Sequence, residues 1–193
     1  MVLAMAKIRT QTDNDDLVIR AHTNPDALGR LYDLYYQRIY RFCLCRLFSK
    51  ETAEDITSAV FLAVARGIST FEGQTESDFR NWLYRIAANQ ANSYIRKTTR
   101  RKELLTEAAR LMQIKRATVT DDPPELDWPT LHTAISKLKL KYQSIIILRF
   151  FLNLEFEEIG KILKARPSTV RVALHRALRK LRNHLQTVLD GGQ

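Results

Sequence analysis

The fold is decided most clearly by residues 156–185, which read FEEIGKILKARPSTVRVALHRALRKLRNHL. Its first eight residues, Phe156 to Leu163, predict a short helix with two acids in the first turn. After a brief turn, Pro167 suits the first position of a second helix, where a backbone N–H would have no partner. A short helix, a tight turn and a second helix form a helix-turn-helix, which places its second helix in the major groove of DNA.

The helix predicted from Pro167 has an apolar and a polar face. Helical periodicity gathers its apolar side chains on one side, and they are Val170, Leu174, Ala177, Leu178, Leu181 and Leu185. The opposite side and its flanks carry the candidate DNA-binding residues, which are Ser168, Thr169, Arg171, Val172, His175, Arg176 and Arg179. Arginine pairs with guanine edges, and hydroxyl groups at a helix start suit phosphate or base contacts. The alternative interpretation is a helical hairpin whose basic face is merely solvated.

The distribution of charge favours an anionic partner for the same segment. The chain has 193 residues, with 31 Lys+Arg and 21 Asp+Glu side chains and a formal charge of +10. Residues 126–193 hold 12 basic and five acidic side chains, whereas residues 1–100 hold 14 and 11. A basic segment of this kind is typical of nucleic-acid binding and less often of binding to membrane surfaces.

The composition narrows the fold class and the compartment. Hydrophobic residues make up 45% of the chain, which is enough for folded cores, and six glycines and five prolines are too few for an all-β sandwich. No apolar run approaches the ~18 residues of a membrane span, and Lys7 and Arg9 interrupt the N-terminus too early for a secretory signal. We therefore expect an all-α protein of the cytoplasm, without membrane insertion.

Helical patterns continue through the N-terminal half. The predicted helices cover residues 13–21, 25–48, 50–67 and 79–102, with Asn24 and Ser49 as N-caps. Residues 103–125 lose this regularity and end in Asp-Asp-Pro-Pro at 121–124, which predicts a flexible linker. The sequence thus predicts two small helical domains, 1–102 and 126–193, joined by the linker 103–125.

The helix over residues 79–102 carries a second candidate site. A polar and basic stripe shares one face, with an indole at its edge and further cations at the helix end; these residues are Trp82, Arg85, Asn89, Asn92, Ser93, Arg96, Lys97 and Arg100. We call this predicted helix α4, as the fourth in chain order, and these eight residues the α4 stripe. Cations for phosphates and an aromatic ring for unstacked bases are what single strands require, and the loop 71–78 is the candidate pocket for a flipped base. The opposite face is expected to be buried, through Leu83, Ala87, Ala91 and Tyr94. The alternative for Trp82 is a half-buried core residue.

Nothing in the sequence predicts an enzyme, a metal site or another cofactor. Cys43 and Cys45 are two residues apart on a predicted helix and point in different directions, and the four histidines are scattered. Neither a phosphate-binding glycine loop nor a nucleophile elbow occurs.

Over residues 15–102 and 128–186 the chain resembles bacterial RNA polymerase sigma factors of the extracytoplasmic-function (ECF) type. In the first part the resemblance lies in NPDA at 24–27, AEDI at 53–56 with FL at 61–62, and FRNWLYRIA at 79–87 with Asn89 and Arg96. In the second part it lies in EI at 158–159, TVR at 169–171, LHRA at 174–177 and LR at 181–182. The order, spacing and coverage of these motifs together make the resemblance specific.

The resemblance implies a mechanism and its partners. The first domain, called region 2, would dock on the β′ clamp helices of core RNA polymerase and open promoter DNA at the minus-ten element through the α4 stripe. The polymerase-binding residues it implies are Glu54, Asp55, Ser58 and Phe61. The second domain, region 4, would contact the β flap and read the minus-thirty-five element as duplex with its helix-turn-helix. An anti-sigma factor is the further implied partner.

The chain departs from the family pattern at several positions. Ser58-Ala59 replaces a usual Gln-Glu pair, which puts the detail of polymerase binding in question. Lys164 replaces a usual glycine between the two region 4 helices; because a non-glycine residue in a left-handed position costs about 1 kcal/mol, a turn of another shape is expected there. Two other functions are therefore weighed: a sigma mimic that sequesters an anti-sigma factor without touching DNA, and a stand-alone helix-turn-helix regulator that uses residues 126–193.

Overall fold

The computed structural model describes residues 13–111 and 128–190, and this part of the chain is helical without a strand. In chain order the helices are α1 (13–21), α2 (Pro25–Leu47), α3 (Lys50–Gly67), α4 (Glu76–Leu111), α5 (Trp128–Ser136), α6 (Leu140–Ile146), α7 (Phe156–Leu163) and α8 (Pro167–Asp190). A 3-10 turn, Ile68–Thr70, follows α3, and a π-helical turn, Ile147–Phe151, follows α6. These helices confirm the all-α prediction. We call residues 13–111 the N-terminal half and residues 128–190 the C-terminal half.

Side-chain caps fix where α2 and α3 begin. The side-chain oxygen of Asn24 accepts hydrogen bonds from the backbone N–H groups of Asp26 at 2.8 Å and Ala27 at 3.4 Å. The hydroxyl of Ser49 accepts one from the N–H of Thr52 at 3.2 Å. Such caps satisfy backbone donors that have no partner within the helix. Both caps were predicted and are confirmed.

Helix α4 begins earlier and ends later than its sequence pattern predicts. Thr75 and Asp78 cap it reciprocally: Asp78 N–H donates to the Thr75 hydroxyl at 3.1 Å, and Thr75 N–H donates to the Asp78 carboxylate at 3.3 Å. Asp15 of α1 accepts from the N–H of Glu76 at 2.6 Å. The helix then continues to Leu111, into the predicted linker, of which residues 112–125 lie outside the described residues.

The N-terminal core forms where α2, α3 and α4 pack together. Its largest fully buried side chains are Leu31, Tyr35, Ile39 and Phe42 of α2 with Phe79 and Leu83 of α4. Ala87 and Ala91 are buried as predicted, but Tyr94 is 38% exposed and its predicted burial is wrong. Its hydroxyl lies 3.5 Å from that of Thr52, in the first turn of α3. Tyr94 therefore lies level with the first turn of α3.

The C-terminal core is built on α6 and the inner face of α8. Ile145, Ile146, Ile147 and Leu148 are consecutive and all buried, and they continue from α6 into the π-helical turn. The inner face of α8 contains Val170, Leu174, Ala177 and Leu181 as predicted.

The prediction is wrong for one residue of this apolar face. Leu178 is 39% exposed, and Ala173 is buried in its place. Helix α8 packs on α6 and α7 together, so the direction of those neighbours decides which flank of the apolar stripe is covered.

Candidate nucleic-acid interface

The outer face of α8 carries every residue predicted to bind duplex DNA. All seven side chains are exposed: Ser168, Thr169, Arg171, Val172, His175, Arg176 and Arg179. Because the inner face is buried on α6 and α7, the basic face has no helix packed against it within the described residues. A helix that presents such a face after a tight turn can enter a major groove.

Arg171 is oriented by an aromatic ring of α7. Its guanidinium lies 5.0 Å from the centre of the Phe156 ring, and that of Arg149 lies 5.1 Å from the same ring. Cation–π contacts of this kind restrict the rotamers of a long side chain. The Phe156 ring therefore holds the Arg171 side chain in place in the free protein.

The residue at the turn between α7 and α8, Lys164, adopts the left-handed conformation although it is not glycine. The expectation that the turn takes another shape is therefore wrong. Lys164 has φ 51° and ψ 51°, and its N–H donates to the carbonyl of Gly160. The N–H of Ala165 donates to the same carbonyl at 2.9 Å. A Cβ at Gly160 would lie 2.6 Å from the carbonyl oxygen of Ala165. The glycine this turn requires is thus Gly160, and Lys164 tolerates the left-handed position at a cost of about 1 kcal/mol.

The α4 stripe faces the C-terminal half across a cleft. Four of its members line this cleft of 490 Å³, namely Arg85, Asn89, Asn92 and Arg96, and across it lie Leu140, Lys141, Ser144 and Lys164. Arg85 donates to the carbonyl oxygen of Lys161 at 3.3 Å. Asn92 accepts a hydrogen bond from Arg46 at 2.5 Å. Ser93 is half-buried, while Lys97 and Arg100 are exposed on the following turns.

Trp82 lies at the edge of the α4 stripe and also belongs to the packing of the N-terminal half. Its indole stacks on Phe71 and lies 6.0 Å from the Phe79 ring. A Cβ at Gly67 would approach the indole to 3.2 Å. Trp82 is therefore half-buried in the core, and its free edge borders a cleft. The structure is compatible with both interpretations of this residue, a packing role and a contact with single-stranded DNA.

That second cleft, of 630 Å³, is formed by the loop 71–75 together with α4. Its wall includes Phe71, Gly73, Asp78, Trp82 and Arg85, with Lys161 of α7 on the far side. A side chain at Gly73 would collide with the Phe71 ring, so the loop closes tightly only because residue 73 is glycine. Hydrogen bonds from Thr75 hold the pKa of Asp78 below its usual range, which keeps a carboxylate at the rim.

Asn81 is the residue of this cleft that sequence reasoning missed. It lines the cleft and is 3% exposed, yet neither polar atom of its amide has a hydrogen-bond partner among the residues that the structure describes. A buried amide without partners is unfavourable unless something supplies them. The signal was available, because positions 81, 85 and 89 continue one face of α4.

The predicted polymerase-binding residues divide between surface and core. Glu54, Asp55 and Ser58 are exposed along α3. Phe61 is only 9% exposed and meets the Tyr32 ring edge-on, with the ring centres 4.7 Å apart. The Phe61 ring is therefore mostly covered by the protein itself, and its role in binding polymerase stays a prediction. Leu62, the next residue, is 52% exposed and provides apolar surface there.

Membrane-spanning helices and metal-binding clusters are both absent from the described part of the chain. None of its helices has the length and apolar character needed to cross a membrane. Within residues 13–111 and 128–190, no three His, Cys, Asp or Glu side chains gather where they could hold a metal ion. Cys43 and Cys45 are both free thiols, and burial raises the pKa of Cys43 to about 11.

Comparison with known sequences and structures follows the division into two halves. Residues 31–101 match the family described as Sigma-70 region 2, and residues 130–181 match Sigma-70, region 4. The RNA polymerase sigma factor YlaC of Bacillus subtilis is 33% identical over 166 residues, covering 83% of this chain and 92% of YlaC. The ECF RNA polymerase sigma factor BldN of Streptomyces coelicolor is 33% identical over 168 residues, which cover 86% of this chain and 63% of BldN.

A solved structure has the same fold. The sigma factor RpoE of Bartonella quintana, crystallised with the anti-sigma factor NepR, superposes with a TM-score of 0.58 at 20% identity, covering 82% of this chain and 96% of that one. The two family matches and the extent of the YlaC alignment confirm the resemblance drawn from the motifs. The chain belongs to the RNA polymerase sigma factors of the extracytoplasmic-function type.

Proposed function

We propose that this chain directs promoter-specific initiation by core RNA polymerase, reading the minus-thirty-five element with α8 and opening the minus-ten element with the α4 stripe. One observation carries the proposal: a single chain presents two polar, basic helix faces of different surroundings. The α8 face is exposed along its length, as duplex binding needs, whereas the α4 stripe borders two clefts. Duplex DNA is read by an exposed helix face that enters a groove. Single strands are held by cations and aromatic rings.

The cleft between the loop 71–75 and α4 supports a role in holding an unstacked base. Phe71 and Trp82 supply aromatic surface, Arg85 supplies charge, and Asn81 brings an unsatisfied amide. Pockets for flipped bases combine stacking with hydrogen bonds to the base edge. We infer that Asn81 hydrogen-bonds the captured base and therefore contributes to sequence preference at the minus-ten element.

The exposed acids Glu54 and Asp55, with Ser58 and Leu62, are the proposed surface for the β′ clamp helices, and region 4 would contact the β flap. An anti-sigma factor is the proposed regulatory partner, as in the NepR complex of the Bartonella quintana protein. Since polymerase and promoter DNA share the cytoplasm, we infer that the chain acts there.

Reconstitution with core polymerase tests the proposal. The purified chain should co-elute with core polymerase and produce promoter-dependent transcripts from fragments of its source genome, and the DNA retained by the holoenzyme can be sequenced to find its motif. Absence of any promoter-dependent transcript would overturn the proposal. A sigma mimic would fail to co-elute, whereas a stand-alone regulator would keep its activity without residues 1–102.

A further inference from the structure

Two arginines from different segments share one aromatic ring beside the helix-turn-helix. The guanidinium of Arg149, in the π-helical turn, lies 5.1 Å from the centre of the Phe156 ring, and that of Arg171, in α8, lies 5.0 Å from it. Phe156 is the first residue of α7 and is half-buried against the C-terminal core. The ring therefore connects a side chain that precedes α7 to a side chain on the exposed face of α8.

The two arginines differ in their other contacts. The Arg149 guanidinium donates a hydrogen bond to the carbonyl oxygen of Leu154 at 2.9 Å and forms an ion pair with the Glu155 carboxylate at 3.1 Å. Arg171 is exposed and makes neither a hydrogen bond nor an ion pair with any residue that the structure describes. Arg149 is thus anchored to the protein, whereas the hydrogen-bond donors of Arg171 stay available for a ligand.

An aromatic ring is a suitable support for an arginine that has to bind an anion. Ordering a long side chain costs conformational entropy, and a contact that orders it beforehand removes this cost from the binding step. A carboxylate could also order Arg171, but it would neutralise the charge and compete with DNA phosphates. The ring attracts the guanidinium through its quadrupole and leaves the positive charge in place.

We propose that Phe156 and Arg149 are positioning residues for duplex recognition: Phe156 sets the direction of Arg171, and Arg149 fixes the Phe156 ring from the π-helical turn. In this arrangement Arg171 binds the DNA, and neither positioning residue contacts it. The inference rests on the proposed function, in which the exposed face of α8 reads the minus-thirty-five element.

The full-length chain allows matched variants. Phe156→Leu removes the ring but keeps an apolar side chain of similar size at a half-buried position, and Phe156→Tyr retains the ring. Arg149→Gln removes the cation, while the glutamine amide can still donate to the carbonyl of Leu154. Lys137→Gln is the control, because it removes one exposed cation from the same half outside α8.

The first measurement is the Kd of each holoenzyme for a labelled promoter duplex, chosen from the fragments that the wild-type holoenzyme retains, at several salt concentrations. Phe156→Leu and Arg149→Gln should each raise the Kd about fivefold, because Arg171 is then ordered only on binding. Their salt slopes should match that of the Lys137→Gln control, since no phosphate contact is lost. Phe156→Tyr should retain the wild-type Kd. In an Arg171→Ala background, neither substitution should raise the Kd further.

The second measurement needs no DNA. In the NMR spectrum of the free full-length chain, the ring current of Phe156 should shift the Nε–H proton of Arg171. Phe156→Leu should abolish this shift, and Phe156→Tyr should keep it. Thermal unfolding followed by circular dichroism establishes that the variants are folded, and Arg149→Gln with its Arg171→Ala double variant decides the question if Phe156→Leu unfolds.

Three outcomes would overturn the positioning role: an unchanged Kd in the folded variants, equal losses with and without Arg171→Ala, or an Arg171 proton shift that survives Phe156→Leu. A shallower salt slope for Arg149→Gln than for Lys137→Gln would make Arg149 a phosphate contact and contradict its assignment. Transcription with core polymerase separates the two proposals. If the wild-type chain initiates at promoters while the substitutions show no coupling to Arg171, the positioning role is wrong and the proposed function stands. Absence of promoter-dependent transcription would overturn the proposed function and this inference with it.

Discussion

The Phe71 ring stacks on the Trp82 indole, with the ring centres 4.6 Å apart and the planes inclined by 21°. The contact joins the loop 71–75 to α4 and forms part of the wall of the second cleft. One face of the indole is therefore engaged by the protein itself. What remains for a nucleotide is the edge of Trp82 that borders the cleft.

Trp82→Ala should lower the free energy of unfolding by about 2 kcal/mol, less than for a fully buried tryptophan because this ring is half-buried. Urea denaturation measures the loss, and Trp82→Phe should lose less because it keeps a ring beside Phe71. In holoenzyme, Trp82→Ala should retain polymerase binding but reduce the permanganate reactivity of thymines at the minus-ten element. Normal strand opening in this variant would leave Trp82 with a packing role alone.

Arg176→Ala or Arg179→Ala should weaken duplex binding, because both side chains are exposed on the outer face of α8. The loss should be ~1–3 kcal/mol if the arginine reads a base, or appear mainly as a shallower salt dependence if it contacts phosphate. Binding of the holoenzyme to promoter DNA at several salt concentrations measures both. Lys137→Ala, an exposed cation in the C-terminal half outside α8, is the matched control. An unchanged affinity and salt slope for both arginine variants would exclude this face as the DNA contact.

Lys164→Gly should stabilise the protein by up to about 1 kcal/mol, because glycine adopts the left-handed conformation at φ 51° without a Cβ penalty. The urea midpoint should rise. Lys164→Ala removes the same charge and keeps the Cβ, so it should resemble the wild type. Equal midpoints for the glycine and alanine variants would show that the turn stores no strain at this residue.

Asp78→Asn should destabilise the protein at neutral pH and much less in acid. The Thr75 hydroxyl donates to the Asp78 carboxylate at 2.6 Å, and this bond lowers the pKa of Asp78. A carboxyl whose pKa is lower in the folded state stabilises the fold when ionised; that contribution is present above about pH 4 and is lost as the pH falls through the folded-state pKa. Urea midpoints of wild type and variant should therefore converge on acidification. Asp33→Asn, at an exposed position of α2, controls for the loss of one charge. A gap that stays constant down to acid pH would contradict the linkage.

Local patterns predicted the helix-turn-helix and its exposed face correctly because both depend on near neighbours. The apolar period places Val170, Leu174 and Leu181 on one side of α8 whatever they pack against, so the seven opposite residues turn outward. The caps Asn24 and Ser49 act within three residues of themselves. Periodicity does not tell which flank of a stripe a neighbour will cover, and there the prediction for Leu178 was wrong.

Local patterns could not predict contacts between side chains that lie far apart in the sequence. The sequence motif that contains Phe61 suggested a contact surface, and only the tertiary structure shows that the Tyr32 ring of another helix meets the Phe61 ring edge-on. Asn81 shares a helix face with Arg85 and Asn89, yet its burial beside an open cleft depends on the path of the loop 71–75.

The sequence by itself determined the all-α class, the caps of α2 and α3, the two basic faces and the family, because each depends on spacings of a few residues or on short motifs. Only the tertiary structure decided that Arg46 is buried against Gln143, 97 residues away, and that the α4 stripe lies beneath α6 and α7. The physical reason is that periodicity records which side of a helix is apolar, whereas the burial of a cation depends on which distant surface comes to cover it.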